Sequence, residues 1–268
     1  MPFTRADVLS AAQRSLAAAG AHDRAGWIGL FTADARVEDP VGSRPHRGHV
    51  AIGRFYDTFI GPRDISFRPD TDIVVGTAVL RDLELEIQMA PTVTLHVPTY
   101  IRYDLRDAGD ELKIAALSAY WELPAMIGQF ARGGLVALPA GGSLARTMVA
   151  NQHLAGTLGF LGGFRGLGSG ARALFTTFLD DARSGNEVGM RRLIADSPVT
   201  RGDDEPVSPS ELVRHLSGSN WTKLVVAGNS VAARIERDGR PTVLIGETAR
   251  AGWIGAVLRR IRLFGGLD

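Results

Sequence analysis

The sequence predicts an α+β fold in which helices cover one face of a curved antiparallel sheet, and it predicts that fold in tandem. Residues 1–60 show the apolar spacing of amphipathic helices, whereas residues 62–122 show the alternation typical of strands. Helices followed by strands indicate the α+β class. The same order returns in shorter form over residues 171–268, and a chain of 268 residues is long enough for two domains.

Residues 1–122 are predicted as the first domain. Its first helix carries one apolar stripe, with Thr4 as a candidate N-cap and Gly20 as its end. Two shorter helices are expected at Arg24–Phe31 and from Gly48 to Phe59. Strand-like runs separated by turn residues follow: a run around Ile65 and Phe67, then Asp72–Leu80, Leu83–Met89, Thr92–Leu105 and Leu112–Trp121.

Residues 123–170 differ from the rest of the chain in composition. They are rich in glycine and alanine, and no acidic residue occurs between Glu122 and Asp180. We expect an apolar helical connector that packs over both cores. A lid over a hydrophobic pocket, or a peripheral contact with a membrane or a protein partner, is the alternative interpretation.

Residues 171–268 are predicted as a degenerate second copy. A helix that holds Ala173 and Phe178 is expected first, then helices at Val188–Ile194 and Pro209–Leu216. Strand-like runs follow: Trp221–Ala227, Val231–Ile235, Pro241–Glu247 and Trp253–Leu263. Where the first region reads Val37-Glu38-Asp39-Pro40, no equivalent acid can be placed in the second. We expect the two sheets to pack together, so that one chain is a pseudo-dimer.

The composition argues against several classes of function. A net charge of +1 lacks the basic surface of a nucleic-acid binder. The absence of cysteine removes disulfides, thiolate zinc sites and cysteine nucleophiles. His46 and His49, without a carboxylate at ligand spacing, make a poor metal site, and we expect neither metal nor cofactor. Asp7 interrupts the apolar run that a signal peptide needs, so the cytoplasm is the expected location.

The most informative residues are three segments in a fixed order. They are Val37-Glu38-Asp39-Pro40, the helix that contains Ile52-Gly53-Arg54-Phe55-Tyr56, and the final Ala119-Tyr120-Trp121. Together they resemble the ketosteroid isomerase members of the NTF2-like (SnoaL-like) superfamily. The resemblance covers about 120 residues and implies a cone-shaped, cystatin-like shell around a deep apolar pocket.

The resemblance also implies site residues. Asp39 matches the family's general base, which moves a proton between two carbons beside a carbonyl. Tyr56 matches a tyrosine that supports the oxyanion donor, and it is the second predicted catalytic residue because it could approach the ligand itself or act through water. A steroid-like or polyketide-like hydrophobic compound is the expected substrate. The residues expected to bind it are Ser15, Phe55, Val97, Thr99 and Trp121. From physical chemistry alone, an Asp39 side chain in an apolar cavity would have a raised pKa and useful basicity.

Two positions depart from the family pattern. Ser15 stands where the family has its oxyanion tyrosine, and Thr99 where it has a protonated aspartic acid. Since loss of one such donor costs roughly 10²–10³ in rate, a non-catalytic ligand binder or a membrane- or partner-binding scaffold is the alternative function.

Two further arrangements are open on strand Thr92–Leu105. A one-residue shift of register would turn His96 and Tyr100 inward. Arg102 and Asp104, with Asp39, would match the Asp-Arg-Asp set that epoxide hydrolases of the superfamily use, unless they lie on a solvated outer face.

Overall fold

The computed structural model describes residues 3–90, 93–132, 146, 167–252 and 255–266. The chain divides into two compact units, residues 1–164 and 165–268. Each unit has a six-stranded sheet with helices packed on it. The α+β class and the tandem arrangement are confirmed.

The first unit begins with a helix whose start is set by local hydrogen bonds. The Thr4 hydroxyl accepts from the Asp7 amide at 3.2 Å, and the Asp7 carboxylate accepts from the Thr4 amide at 2.8 Å, which forms a capping box. The elements of the unit are α1 (Arg5–Gly20), α2 (Arg24–Gly29), β1 (Phe31–Glu38), β2 (His46–Arg47), α3 (Gly48–Phe55, continued by a π-helical turn over Tyr56–Ile60), β3 (Asp64–Val75), β4 (Ala78–Ala90), β5 (Val93–Asp107), β6 (Leu112–Tyr120) and α4 (Leu123–Arg132).

The first sheet has the strand order β2-β1-β6-β5-β4-β3. Strands β3 to β6 form an antiparallel meander, as expected. The meander brings β6 back beside β1 in the same direction, and Val37 pairs with Leu117 in a parallel ladder. The prediction of a wholly antiparallel sheet is therefore wrong in this one pairing, and the sheet is mixed.

Several predicted element boundaries are also wrong, and the run around Ile65 and Phe67 joins the start of the next run in one strand, β3. The run Asp72–Leu80 is divided by a hairpin turn, in which Val75 pairs with Ala78 and Gly76 has φ +57°. Apolar residues on both sides of the turn conceal it in the sequence. Phe31, predicted as the end of a helix, is the first residue of β1, because α2 ends two residues earlier at Gly29.

The core of the first unit lies between α1 and the inner face of the sheet. Alternate residues of β5 from Val93 to Leu105 point into this core, and the residues between them point to the outer face. The apolar stripe of α1, which includes Val8, Ala12 and Ala19, covers the same face. Thus β5 presents Val97, Thr99, Ile101 and Tyr103 on one side.

The second unit repeats this topology. Its elements are α5 (Ser169–Arg183), α6 (Glu187–Ile194), β7 (Val199–Arg201), β8 (Glu205–Pro206), α7 (Pro209–Leu216), β9 (Asn220–Ala227), β10 (Ser230–Arg237), β11 (Arg240–Ala251) and β12 (Gly255–Phe264). The strand order is β8-β7-β12-β11-β10-β9, and β7 is parallel to β12 as β1 is to β6. The two sheets match strand for strand, which supports tandem copies of one fold.

Gly246→Ala is expected to destabilise the second unit by about 1–3 kcal/mol, because the core has no room for a methyl group there. A Cβ at Gly246 would overlap Cε2 of Phe175 and lie 2.9 Å from its Cδ2, and Phe175 is fully buried. Urea unfolding measures the loss. Gly170→Ala in α5, where a Cβ meets nothing within 4 Å, is the matched control and should leave the midpoint unchanged or raise it. Equal midpoints for the two variants would contradict the steric argument.

Two predictions lie beyond the described part of the chain. The expected connector, lid or contact surface at 123–170 falls mostly on residues 133–166, of which only Arg146 is described. The packing of one sheet against the other stays a prediction. Among the described residues, no helix is both long enough and apolar enough to cross a membrane.

Candidate active site

Asp39 follows directly after β1 and lies beside the inner face of the first sheet. Glu38 pairs with Ser118 on β6, and the Val41 amide donates to the Ala119 carbonyl at 2.8 Å, so Asp39 lies level with Ala119. From Ala119 the register runs across the sheet through Ile101 and Arg81 to Asp72. One row of inner-face positions therefore has Asp39 at one end and an arginine and an aspartate at the other.

The carboxyl of Asp39 combines partial accessibility with a nonpolar environment. Trp121, itself buried in the core, donates its indole Nε1–H to Asp39 Oδ1 at 2.5 Å. Burial raises the pKa of Asp39 to about 6, against the opposing effect of the Trp121 hydrogen bond. Asp39 is thus ionised at neutral pH and is more basic than an ordinary aspartate, as a general base requires.

Tyr103 is a buried phenol on the same face, which sequence reasoning did not single out. Its side chain is fully buried, and among the described residues its hydroxyl makes no hydrogen bond of good geometry, although the Ser15 hydroxyl lies close to it. Burial raises the pKa of Tyr103 to about 12, and the nearby Ser15 hydroxyl and Arg81 charge oppose the rise. The Asp39 charge also acts on this phenol in the raising direction. Tyr103 is therefore protonated at neutral pH and is a hydrogen-bond donor.

Arg81 and Asp72 form a buried ion pair on the inner face. Arg81 donates from Nε and Nη2 to the two oxygens of Asp72, at 2.6 and 2.7 Å. Burial acts to lower the pKa of Arg81, but the hydrogen bonds and charge of Asp72 raise it overall. Within the described ranges, the third nitrogen that can donate, Nη1, is buried and has no partner.

The predicted site residues are distributed around this polar row. Ser15 is buried on α1 and lies near the Tyr103 hydroxyl. Val97 and Thr99 point into the core, and Thr99 Oγ1 donates to the Val97 carbonyl at 2.9 Å. Phe55 packs against Trp27, His46 and Phe59, with ring centroids 6.2, 5.1 and 5.2 Å away.

Tyr56 has different surroundings. Its ring lies 5.4 Å from that of Trp27, and its hydroxyl has no hydrogen-bond partner in the part of the chain that is described. Burial raises the pKa of Tyr56, and the charges that act on it belong to Asp23, Asp57 and Arg24, around α2 and α3. The catalytic role of Tyr56 stays a prediction, whereas the Asp39 charge acts on Tyr103.

The alternative register of β5 is wrong. The His96 side chain is half-exposed on the outer face, and its Nδ1 lies 3.3 Å from Glu84. Arg102 pairs with Asp104 at 2.6 Å on that same outer side, so these two residues do not join Asp39. The inner face carries Arg81 and Asp72 in their place. Residues of β4 alternate between the two faces, and Val79 and Leu83 face inward, so Arg81 between them also faces inward. The sequence prediction missed this because it placed Arg81 in a gap between two strand-like runs.

Glu84, Glu86 and His96 form the one group of potential metal ligands found among the described residues, with their ligand atoms within 4.8 Å of one another. They lie on the outer face, away from Asp39. Arg68 already supplies a cation to them, at 2.5 Å from Glu86 and 3.7 Å from Glu84. This group is better explained as a surface ion-pair network than as a metal centre.

Two cavities formed by the described residues lie elsewhere. One of about 350 Å³ is lined by Gly20, His22, Asp64 and their neighbours. Another of about 580 Å³, in the second unit, is lined by residues that include Arg214, His215 and Arg237. Neither includes Asp39, so the candidate active site is defined by its polar row rather than by these cavities.

Comparison with known proteins identifies the family of a domain in the first unit. Residues 12–115 match the model of the SnoaL-like domain. Δ5-3-ketosteroid isomerase from Mycobacterium sp. is 31% identical over 45% of this chain and 96% of its own, with a TM-score of 0.41. RV0760c from Mycobacterium tuberculosis, in complex with estradiol-17β-hemisuccinate, is 27% identical over 44% of this chain and 95% of its own, with a TM-score of 0.41.

A third solved structure has lower identity. An LEH-like epoxide hydrolase of Mycobacterium tuberculosis is 18% identical over 51% of this chain and 97% of its own, with a TM-score of 0.42. The family match spans α1 to the start of β6 and includes Ser15, Asp39, Arg81 and Tyr103. Residues 12–115 of this chain, within its first unit, thus belong to the SnoaL-like domain family.

Proposed function

We propose that the first unit is an enzyme that moves a proton between two carbons of a hydrophobic carbonyl compound, with Asp39 as the general base. The observation that carries the proposal is the Asp39 carboxyl, whose pKa burial raises to about 6 beside the Trp121 indole. A base of this strength is ionised at neutral pH and binds protons more tightly than a solvated aspartate.

The reaction proceeds in two proton transfers. Asp39 removes a proton from the carbon next to the substrate carbonyl, and the electron pair of the broken C–H bond moves towards the carbonyl oxygen, giving an enolate. The protonated Asp39 then returns the proton to a second carbon of the conjugated system, and the carbonyl forms again. No net oxidation or reduction occurs, and no co-reactant is consumed.

The side chains around the polar row support the expected substrate class. Those that share the inner face with Asp39 include Val97, Ile101, Leu117 and Trp121, and all four are buried. Apolar side chains of this kind beside Asp39 support a bulky apolar substrate with one polar group, such as a steroid-like or polyketide-like ketone. The non-catalytic binder or scaffold is the competing function, and the assay below separates the two.

We expect kcat/KM for isomerisation of a Δ5-3-ketosteroid to rise with pH and to level off above about pH 6, the pKa of Asp39. Below that pKa the carboxyl is protonated, so the rate should fall by roughly tenfold per pH unit, since one proton blocks the base. The ultraviolet absorbance of the conjugated product follows the reaction. A rate independent of pH between 5 and 8 would argue against a base with this pKa. Absence of turnover with binding of the steroid would favour the non-catalytic binder.

A further inference from the structure

Two buried hydrogen-bond donors on the inner face of the first sheet lack a well-formed hydrogen bond among the residues that the structure describes. They are Tyr103 Oη and Arg81 Nη1, and their residues are only 0% and 4% exposed. Within the described residues neither atom makes a hydrogen bond of good geometry, and the Ser15 hydroxyl lies near Tyr103 Oη. An unsatisfied buried donor costs about 1–3 kcal/mol, so two of them in one place require an explanation beyond stability.

The register places the two residues as diagonal neighbours on one face of the sheet. Arg81 on β4 lies directly opposite Ile101 on β5, and Tyr103 follows Ile101 by two residues on the same face. Diagonal neighbours of this kind are about 7–8 Å apart at the backbone, which long side chains span. The charge of Arg81 acts on the Tyr103 phenol, as does the charge of Asp39. The two side chains therefore lie on one face and close enough for the charge of one to act on the other.

The charge balance indicates what kind of ligand atom matches the two donors. Asp72 accepts hydrogen bonds from Nε and Nη2 of Arg81 but not from Nη1. Because the two side chains carry opposite charges, the ion pair has no net charge. Both unpartnered groups are donors, because an arginine has no acceptor and the Tyr103 hydroxyl keeps its proton at neutral pH. The group that matches these two donors is an acceptor oxygen. Because the ion pair has no net charge, this oxygen is expected to be neutral at first and to gain negative charge during the reaction, as a ketone oxygen does when an enolate forms.

The neighbouring residues explain why the donors come from the sheet. Ser15 stands on α1 near the Tyr103 hydroxyl, and a serine leaves room for the phenol of the facing strand. Thr99 uses its hydroxyl to donate to the Val97 carbonyl on its own strand. The Thr99 hydroxyl is thus engaged on its own strand, and the Ser15 hydroxyl acts on Tyr103.

We propose that Tyr103 Oη and Arg81 Nη1 together bind the carbonyl oxygen of the substrate and stabilise the enolate, in place of the donors that the family pattern has at the positions of Ser15 and Thr99. This inference rests on the proposed function, since it assigns the oxyanion-binding residues to the reaction for which Asp39 is the base. Tyr103 is thereby a catalytic residue, and the Arg81–Asp72 pair has a binding role besides its structural one.

The test uses 2-naphthol, an apolar phenol whose naphtholate form mimics an enolate and has its own absorption and fluorescence bands. The full chain is titrated with 2-naphthol, and binding and ionisation are measured for the native protein and for Tyr103→Phe, Arg81→Lys and Tyr100→Phe. Tyr100 lies on the outer face of the same strand, so Tyr100→Phe is the matched control. Thermal unfolding of each variant shows which of them fold.

We expect the native protein to bind naphtholate and Tyr103→Phe to weaken that binding by roughly 10–100-fold, the effect of losing one hydrogen bond to a charged group. Arg81→Lys, which keeps the charge but loses the spare Nη1, should weaken it in the same direction, and Tyr100→Phe should not. Equal binding by native protein and Tyr103→Phe would overturn the inference, as would a native protein that does not bind the probe.

Turnover separates this inference from the proposed function. With a Δ5-3-ketosteroid, Tyr103→Phe is expected to lower kcat by roughly 10²–10³-fold, the usual effect of one oxyanion donor. A loss of turnover in Tyr56→Phe but not in Tyr103→Phe would overturn the assignment and leave the Asp39 reaction standing. Naphtholate binding that depends on Tyr103, in a protein without turnover, would support the donor pair and contradict the proposed reaction.

Discussion

Asp39→Asn is expected to lower kcat for carbon-to-carbon proton transfer by roughly 10²–10⁴-fold, the usual contribution of a general base. The amide of asparagine cannot take up the substrate proton, whereas its size and its oxygen preserve the contact with the Trp121 Nε1–H. The measurement is the initial rate of Δ5-3-ketosteroid isomerisation at pH 8, where Asp39 is ionised in the native protein. KM should change little, because the substitution removes a proton acceptor rather than apolar contact area.

The same substitution is expected to stabilise the fold above pH 6. The pKa of Asp39 is raised from 3.8 to about 6 by burial, so between these values the folded state holds a proton that the unfolded state has lost. Stability therefore falls as pH rises through this window and stays lower above it, by up to about 3 kcal/mol. Asparagine avoids that cost. A variant that gains stability and loses turnover identifies a catalytic group, whereas full activity in Asp39→Asn would refute the proposed base.

Asp72→Asn is expected to destabilise the first unit by about 3–5 kcal/mol, because it leaves the buried Arg81 charge without its counter-ion. The two side chains are only 20% and 5% exposed, and both oxygens of Asp72 are engaged by Arg81. Urea unfolding followed by far-ultraviolet circular dichroism measures the loss.

Asp34→Asn is the matched control for that experiment. It removes the aspartate of another Arg–Asp pair, Asp34 with Arg106, whose side chains are 66% and 56% exposed, so solvent screens the interaction and the midpoint should hardly move. The double variant Asp72→Leu with Arg81→Met should recover much of the stability, since apolar residues of similar volume replace a buried pair without an orphaned charge. Equal midpoints for Asp72→Asn and Asp34→Asn would show that the Arg81 charge is not desolvated.

Local patterns in the sequence were enough to predict most elements of both units. The box formed by Thr4 and Asp7 marks the start of α1, and α7 begins at Pro209 and ends at Leu216 as predicted. These features involve residues within one or two turns of each other, so the chain carries them without reference to the rest of the fold. The hairpin turn at Gly76 escaped prediction because apolar residues continue on both sides of it.

The candidate base was also accessible from the sequence, whereas its partners were not. Val37-Glu38-Asp39-Pro40 is a contiguous segment, and the match of residues 12–115 to the SnoaL-like domain confirms the family to which it pointed. Tyr103 and Arg81 come from strands distant in sequence, and Arg81 was assigned to a gap between runs. Parity along a strand places a residue on one face or the other, but it does not say which strands are neighbours.

By itself, the sequence determined the class of fold, its tandem repetition, the position of most helices and strands, and the acid at the end of β1. Only the tertiary structure decided that β6 lies parallel to β1 and that the register joins Asp39, Ala119, Ile101, Arg81 and Asp72 in one row. It also decided that Tyr103 and Arg81 have donors with no well-formed hydrogen bond to any described residue. The physical reason is that secondary structure follows from neighbours along the chain. A pKa of about 6 and an unsatisfied hydroxyl follow from desolvation by residues brought together from the whole sheet.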